Sequence, residues 1–463
     1  MDKTINALGL MSGTSMDGID ASLITSDGEK NINIVGNLYL KYDPELKSSL
    51  IRFCQKINSK NDLVANIEEY EKLERKVTVK HAEIASKLIS TFNLNVRIVG
   101  FHGQTILHKP KENYTIQMGN AKLLSQLLDK DIIYKFRDND LKNGGEGAPL
   151  TPIYHHFLKK KLNIETPVLF LNIGGISNYT FSYKEKIIAK DAGPGNCLMD
   201  NYIKKILNKD FDEDGKLASA GKVDNILINN IFEHEVYNSE SKRSFDTKDF
   251  DINFVRGLNK EDALANLNFF TAKFIAENIK KNFKEKLTIL ISGGGRKNKT
   301  LVSNLKKLLD HEICEIDQFN LDGDFIESQA FAFLGIRSFF KKNISFPSTT
   351  GVNKSVTGGE IILTTAYKQG VRFVLPGSNS KVHLPLKISI QDNGEGVPES
   401  IQNFMFDAFV TNKTEGSGLG LALVAKLIAD HGGIVELESH PSRTIFHVML
   451  PMDTSSGDKK GTS

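Results

Sequence analysis

The sequence predicts an α/β protein of two lobes followed by a smaller third unit, and three observations carry that expectation. Nearly continuous apolar strands run three times into glycine-rich turns; amphipathic helical stretches separate them; and the pattern changes character after Gly358. Length agrees, because 463 residues at roughly 150 per domain make about three compact units. With 40% hydrophobic and 25% charged residues, collagen-like, disordered and single-helix chains are excluded.

The first strand and turn span residues 5–20, where INALGLM enters SGTSMDGID and continues into ASLI. N–H groups exposed by such a turn, with the hydroxyls of Ser12, Thr14 and Ser15, suit phosphate oxygens that bulky side chains would block. An ordinary hairpin reads equally well on this segment alone. The GxxxxGK[ST] spacing of a Walker loop and its lysine are absent. Residues 62–92 follow with apolar positions at helical spacing and charges between, and His81 there reads as packing.

The second strand, VLFLNI, runs into GGISN over 168–178, and the third, LTILI, runs into SGGGR over 287–296. Between them KDAGPGN sets the carboxylate of Asp191 beside glycines, where an Asp is more often a turn-former than a catalyst. A further helix is expected over 262–283, with Phe269 in the core. Holding a polyphosphate through backbone groups needs several such turns around one cleft. Dinucleotide and P-loop sheets concentrate the signal in one loop, whereas two-lobed actin-like ATPases spread it over three.

Lys+Arg of 59 against Asp+Glu of 56 leaves +3, too little to attract nucleic acid or anionic lipid by bulk charge. Cys54, Cys197 and Cys314 lie far apart, without metal-binding or disulfide-framework spacing, so they read as small buried residues in a reducing compartment. Neither a signal peptide nor ~18 uninterrupted apolar residues is found, and a soluble cytoplasmic protein is expected.

Five motifs are specific enough to carry a resemblance: MSGTSMDG at 11–18, FHGQT at 101–105, GAPL at 147–150, LNIGGISN at 171–178 and DAGPGN at 191–196. Their order and spacing over about 5–358 resemble the anhydro-N-acetylmuramic acid kinases, which implies a two-lobed actin-like (ribonuclease H-like) sugar kinase fold. The resemblance implies that ATP phosphorylates the six-position oxygen of 1,6-anhydro-N-acetylmuramic acid while water opens the anhydro ring, in cell-wall recycling. Asp191 matches the family's catalytic aspartate and is expected to deprotonate that water. Gly13, Thr14, Ser15, Met16, Asp17, Gly18, Ile19 and Asp20 are expected along the ATP phosphates, with Asp17 or Asp20 a contact for Mg2+, and Gly293, Gly294 and Gly295 beside the nucleotide. His102, Gln104, Arg137 and Glu327 are expected on the sugar, the guanidinium of Arg137 suiting a lactyl carboxylate. One departure stands out, since the family usually shows GGQGAPL and this chain has Glu146 in place of the amide.

After the kinase pattern ends, alternating strands lead to DNGEG at 392–396, FDAF at 406–409 and GSGLGL at 416–421. These resemble the two glycine boxes of a histidine-kinase ATPase domain of the nitrogen-regulation sensor type, which implies a truncated α+β ATPase sandwich over 359–452. Asp392, Gly394, Gly396, Gly416, Gly418 and Gly420 would form a second nucleotide site. The asparagine-bearing helix that should precede the first strand is missing, and no phosphoacceptor helix pair exists; His155 and His156 sit in the other domain. The expected partners are an amino sugar and ATP, without nucleic acid or membrane. A homodimer, or a response-regulator or sensor-kinase partner reached through the C-terminal module, stays open, and a signalling protein built on that module is the competing function. The polar tail 453–463 is expected to be disordered.

Overall fold

The computed structural model describes residues 4–233, 245, 247–362, 365–367, 372–374, 381–383, 386–392, 397–402, 404–411, 418–440 and 443–451. Asn393, Gly394, Glu395, Gly396, Gly416, Ser417 and the tail 453–463 lie outside the described residues. The chain divides into one unit of residues 1–121 with 133–361, and a second of 122–132 with 362–463.

The first unit holds two sheets built on one plan. In the first, β1 (Ile5–Ser12), β2 (Gly18–Ser26) and β3 (Ile32–Lys41) form an antiparallel meander, and β4 (Ile98–Lys109) pairs parallel to β1. β5 (Tyr114–Met118) folds back on β4, and β6 (Asp131–Tyr134), followed by the short strand β12 (Glu360–Ile362), continues the order β3-β2-β1-β4-β6-β12. In the second, β7 (Val168–Ile173), β8 (Ile176–Tyr183) and β9 (Lys186–Pro194) repeat the meander. There β10 (Thr288–Ser292) lies parallel to β7 and β11 (Glu312–Glu315) parallel to β10, giving β9-β8-β7-β10-β11. This repeated order is the two-lobed actin-like architecture.

Central strands are apolar on both faces because both faces are covered. Every residue of β10 is buried, whereas the edge strand β3 is largely half-exposed. The helix Ile326–Phe339 is buried all round and shares a core with residues of both sheets, among them Ala7, Ile98, Phe170 and Leu290. It comes so close to the first sheet that a Cβ at Gly9 would lie 2.0 Å from the Ser328 carbonyl oxygen, and one at Gly100 2.2 Å from that of Phe331. The helix Lys260–Asn282 covers the second sheet, capped by Asn259, whose side chain accepts from the Asp262 N–H, and by lysines in its last turn. The stretch expected as one helix over 62–92 is two, Lys60–Ala65 and Ile67–Phe92. They part at Asn66, which leaves helical geometry at φ −117°, ψ 28° and whose side-chain amide donates to the Asp62 carbonyl at 2.8 Å beside the backbone bond.

The second unit contains the sheet β13-β16-β18-β17, with β13 Thr365–Tyr367, β16 Leu386–Asp392, β17 Ile434–His440 and β18 Arg443–Leu450. A separate ladder joins β14 (Arg372–Val374) to β15 (Lys381–His383). Asp392 closes β16, and Gly420 opens the helix Gly420–Asp430. Gly418, at φ +65°, passes so close to Phe409 that a Cβ would lie 2.5 Å from its carbonyl carbon. No described helix is long and apolar enough to cross a membrane.

Candidate active site

The β1–β2 turn is built by buried hydroxyl and amide groups. The Ser12 hydroxyl lies 2.9 Å from the Gly18 carbonyl, 2.7 Å from Gln104 Oε1 and 3.1 Å from the Tyr42 hydroxyl, while Gln104 Nε2 donates to the Gly13 carbonyl at 3.0 Å. Gln104 has no exposed surface, so the structure places this expected sugar contact inside the turn as its brace. Met16 takes φ 52°, and its N–H closes the turn on the Gly13 carbonyl at 3.1 Å. Thr14 and Ser15 are exposed; the Ser15 hydroxyl donates to Asp17 at 2.6 Å.

Asp20 follows on β2 and faces an acidic wall. Burial, then the charges of Glu327, Asp17, Asp324 and Asp322, push its carboxyl up to about 8. Glu327 starts the helix Ile326–Phe339 and lines a small cavity with Thr151, His155, Asn172, Ser292 and Gly293, at the C-terminal ends of β7 and β10. Burial raises the Glu327 carboxyl, opposed by Arg137.

Arg137 donates to Gly147 O at 2.9 Å and lies 3.0–3.2 Å from His102 Nε2. With Nδ1 of His102 on the Gly103 carbonyl at 2.8 Å, Nδ1 carries the proton and Nε2 accepts. Burial and then Arg137 hold His102 far below its ordinary value, so it is neutral. The Gly147 N–H is bound in turn by the buried Asp140, whose other oxygen takes the Thr350 hydroxyl at 2.5 Å.

Asp191 sits on β9 where the register slips: Asn178 opposes Asp191 but Ser177 opposes Gly193, so Ala192 is an extra residue that re-aims the strand. The Phe245 N–H donates to Asp191 Oδ2 at 2.7 Å. Burial raises the carboxyl to about 6, the Phe245 bond pulling down and the charge of Glu146 pushing up.

Four of the expected residues are linked: the charge of Glu327 bears on Asp20, that of Arg137 bears on Glu327, Arg137 donates to the Gly147 carbonyl, and the charge of Glu146 bears on Asp191. Gly293 borders the same cavity, and Gly294 and Gly295 begin the next turn. Asp392, Gly418 and Gly420 belong to the second unit. His155 and His156 are buried on Thr180 and Ser182 and held neutral by burial, near 3 and 4.

Sequence reasoning passed over four groups. Arg296 is clasped by Asp317, Asp324 and Asp322 and also donates to the Gly293 carbonyl, which fixes the third glycine turn. Asn196 and Gly195 donate backbone N–H groups to the Gly174 and Gly175 carbonyls, and Asp140 and Phe245 hold the loops around Arg137 and Asp191. Only the repeated GG and GPG spacing signalled any of them.

Glycine turns at equivalent strand ends of two like sheets, facing acids and a buried arginine, define an ATP-dependent phosphotransferase of the actin-like class. The chain belongs to the anhydro-N-acetylmuramic acid kinase family, whose model matches residues 5–364. It is 46% identical over 372 residues to the anhydro-N-acetylmuramic acid kinase of Pelagibacter ubique (strain HTCC1062), covering 78% of this chain and 99% of that one. It is 35% identical over 362 residues to that of Zymomonas mobilis subsp. mobilis, covering 77% and 99%. Residues 362–454 match the model of the histidine kinase-, DNA gyrase B- and HSP90-like ATPases.

Proposed function

We infer that the first unit phosphorylates 1,6-anhydro-N-acetylmuramic acid with ATP and water, giving N-acetylmuramic acid 6-phosphate and ADP. What supports this reading is the family match over residues 5–364 together with the linked charges of Asp20, Glu327, Arg137, Glu146 and Asp191, in which Asp20 stands for the phosphate end and Asp191 for the base end. Asp191 takes a proton from water, the water oxygen bonds to the anomeric carbon, and the bond from that carbon to the six-position oxygen breaks. The freed oxygen bonds to the terminal phosphorus of ATP and ADP leaves. A base near 6 is mostly ionised at neutral pH and still a competent acceptor.

The turn at 13–20 and the glycines at 293–295 border the phosphates, and Arg137, held by His102 and Gly147, meets the lactyl carboxylate. Glu327 sits between the two ends. Among the described residues no group of three or more His, Cys, Asp or Glu is posed to hold a metal by itself. Mg2+ still fits, since it commonly takes one or two carboxylates with phosphate oxygens and water, and Asp20 lies among four like charges that a dication relieves. When bound, Mg2+ neutralises charge on the phosphate oxygens.

The test is direct. Purified protein given the anhydro-sugar and ATP should release ADP and sugar phosphate in equal amounts, and Asp191→Asn should lose at least about 10³ of kcat with ATP affinity kept. Equal turnover by Asp191→Asn, or no consumption of the anhydro-sugar by the wild type, refutes the reading. The second unit has no part in this scheme.

A further inference from the structure

Among the described residues, the carboxylate of Asp191 is held by the backbone of Phe245, whose ring is seated in aromatic packing. The Phe245 N–H donates to Oδ2 at 2.7 Å. Its ring rests on Phe250, with centroids 5.4 Å apart, and edge-on against Phe274 at 5.8 Å, while Phe250 meets Phe274 at 5.7 Å. Phe274 projects from the helix Lys260–Asn282 against the irregular end of β9. Gly193 there takes φ +135°, and a Cβ on it would lie 2.2 Å from the Phe274 ring. The same ring thus meets the backbone two residues after Asp191 and the residue that binds its carboxylate. One ring borders both the register slip at Ala192 and the residue that binds Asp191.

We propose that Phe245, seated on Phe250 and Phe274, is a positioning residue that holds Oδ2 of Asp191 and leaves Oδ1 to accept the proton of the attacking water. This rests on Asp191 being the base. A carboxylate free to rotate presents either oxygen in many orientations, whereas one oxygen fixed by an N–H keeps the other aligned, and misplacement by about 1 Å costs on the order of 10²-fold in rate. The N–H also favours the ionised form, against burial and the charge of Glu146, which faces Asp191 from the loop at 144–147.

Phe245→Ala removes the ring and keeps the backbone N–H, so its effect reports on seating. The expected result is a fall in kcat of roughly 10- to 100-fold, with the KM for ATP little changed. The acid limb of the kcat profile, expected near pH 6 in the wild type, should move to higher pH as the N–H bond weakens. Phe245→Leu, which refills much of the seat, should bring the limb back towards the wild-type position. If Phe245→Ala does not fold, Phe274→Leu is read in the same way. A limb that stays at the wild-type position in the folded variant overturns the proposal, whatever happens to kcat. Failure of the base assignment is separate: Asp191→Asn would then turn over like the wild type, or the wild-type profile would have no limb in that region.

Discussion

Replacing Arg296 by Met keeps most of the volume and removes the charge that ties the third glycine turn to the loop at 317–324. The guanidinium is 6% exposed and bonds Asp317 at 2.7 and 3.1 Å, Asp324 at 2.5 Å, the Gly293 carbonyl at 3.1 Å and Asp322 at 3.5 Å. A charged hydrogen bond between buried groups contributes ~1.5–3 kcal/mol. The three carboxylates, however, keep 35–46% of their side chains in water, which brings each pair nearer the ~1 kcal/mol of an exposed bridge. The loss should total about 3 kcal/mol, or roughly 4 °C in Tm for a unit of this size. Burial works against the Asp317 and Asp324 charges, but Arg296 outweighs it and holds both carboxyls below their ordinary 3.8. Such depressed groups stabilise the fold above about pH 4 and lose that contribution as pH falls through their folded values. The Tm gap between wild type and Arg296→Met should therefore be full at pH 7 and shrink on acidification below about pH 4. Thermal unfolding followed by circular dichroism across that range measures it, alongside a higher KM for ATP. A variant as stable as the wild type at pH 7, or a gap that ignores pH, refutes the reasoning.

Asp20→Asn should stabilise the ligand-free protein while lowering turnover at least about 100-fold. The carboxyl is raised from 3.8 to about 8, so its stability cost accumulates as pH rises through that interval, and the Tm gain should grow from pH 4 to pH 8 and then level off. Melting curves and ADP release check both halves, and a gain constant with pH contradicts the assignment. Gly100→Ala puts a Cβ 2.2 Å from the Phe331 carbonyl oxygen. Pushing the helix Ile326–Phe339 off β4 should cost about 1–3 kcal/mol in a denaturant titration, and a drop in kcat should accompany it because Glu327 rides on that helix.

The strands were legible because burial on both faces writes a continuous apolar run, as in VLFLNI and LTILI, and the glycines marked where the runs end. Residue types at the site were legible too, but their states were not. Asp20 is perturbed by Glu327, Asp322 and Asp324, some three hundred positions away, and no local pattern encodes that meeting. Arg296 read as the end of a glycine turn, and nothing in NLDGD at 320–324 pointed to it; only folding makes them one clasp. Gln104 is expected on the sugar from the FHGQT motif, which does not itself reveal that the residue lies buried within β4, where its amide reaches Ser12 and Gly13. The break at Asn66 was missed because apolar spacing continues through it, while the side-chain bond to Asp62 ends the turn.

The two sheets share one strand order, so the turns Gly13–Asp17 and Gly174–Gly175 are the same corner of one hairpin drawn twice. The copies have been furnished differently. One carries hydroxyls and acids, SGTSMD; the other is bare glycine locked by the backbone of Gly195 and Asn196. A chain that repeats a corner has a spare: chemistry can be rewritten at one without redesigning the scaffold at the other. Glu146, whose charge bears on Asp191, stands in a loop between the copies, and loops of this kind are where members of one fold come to differ in what they accept.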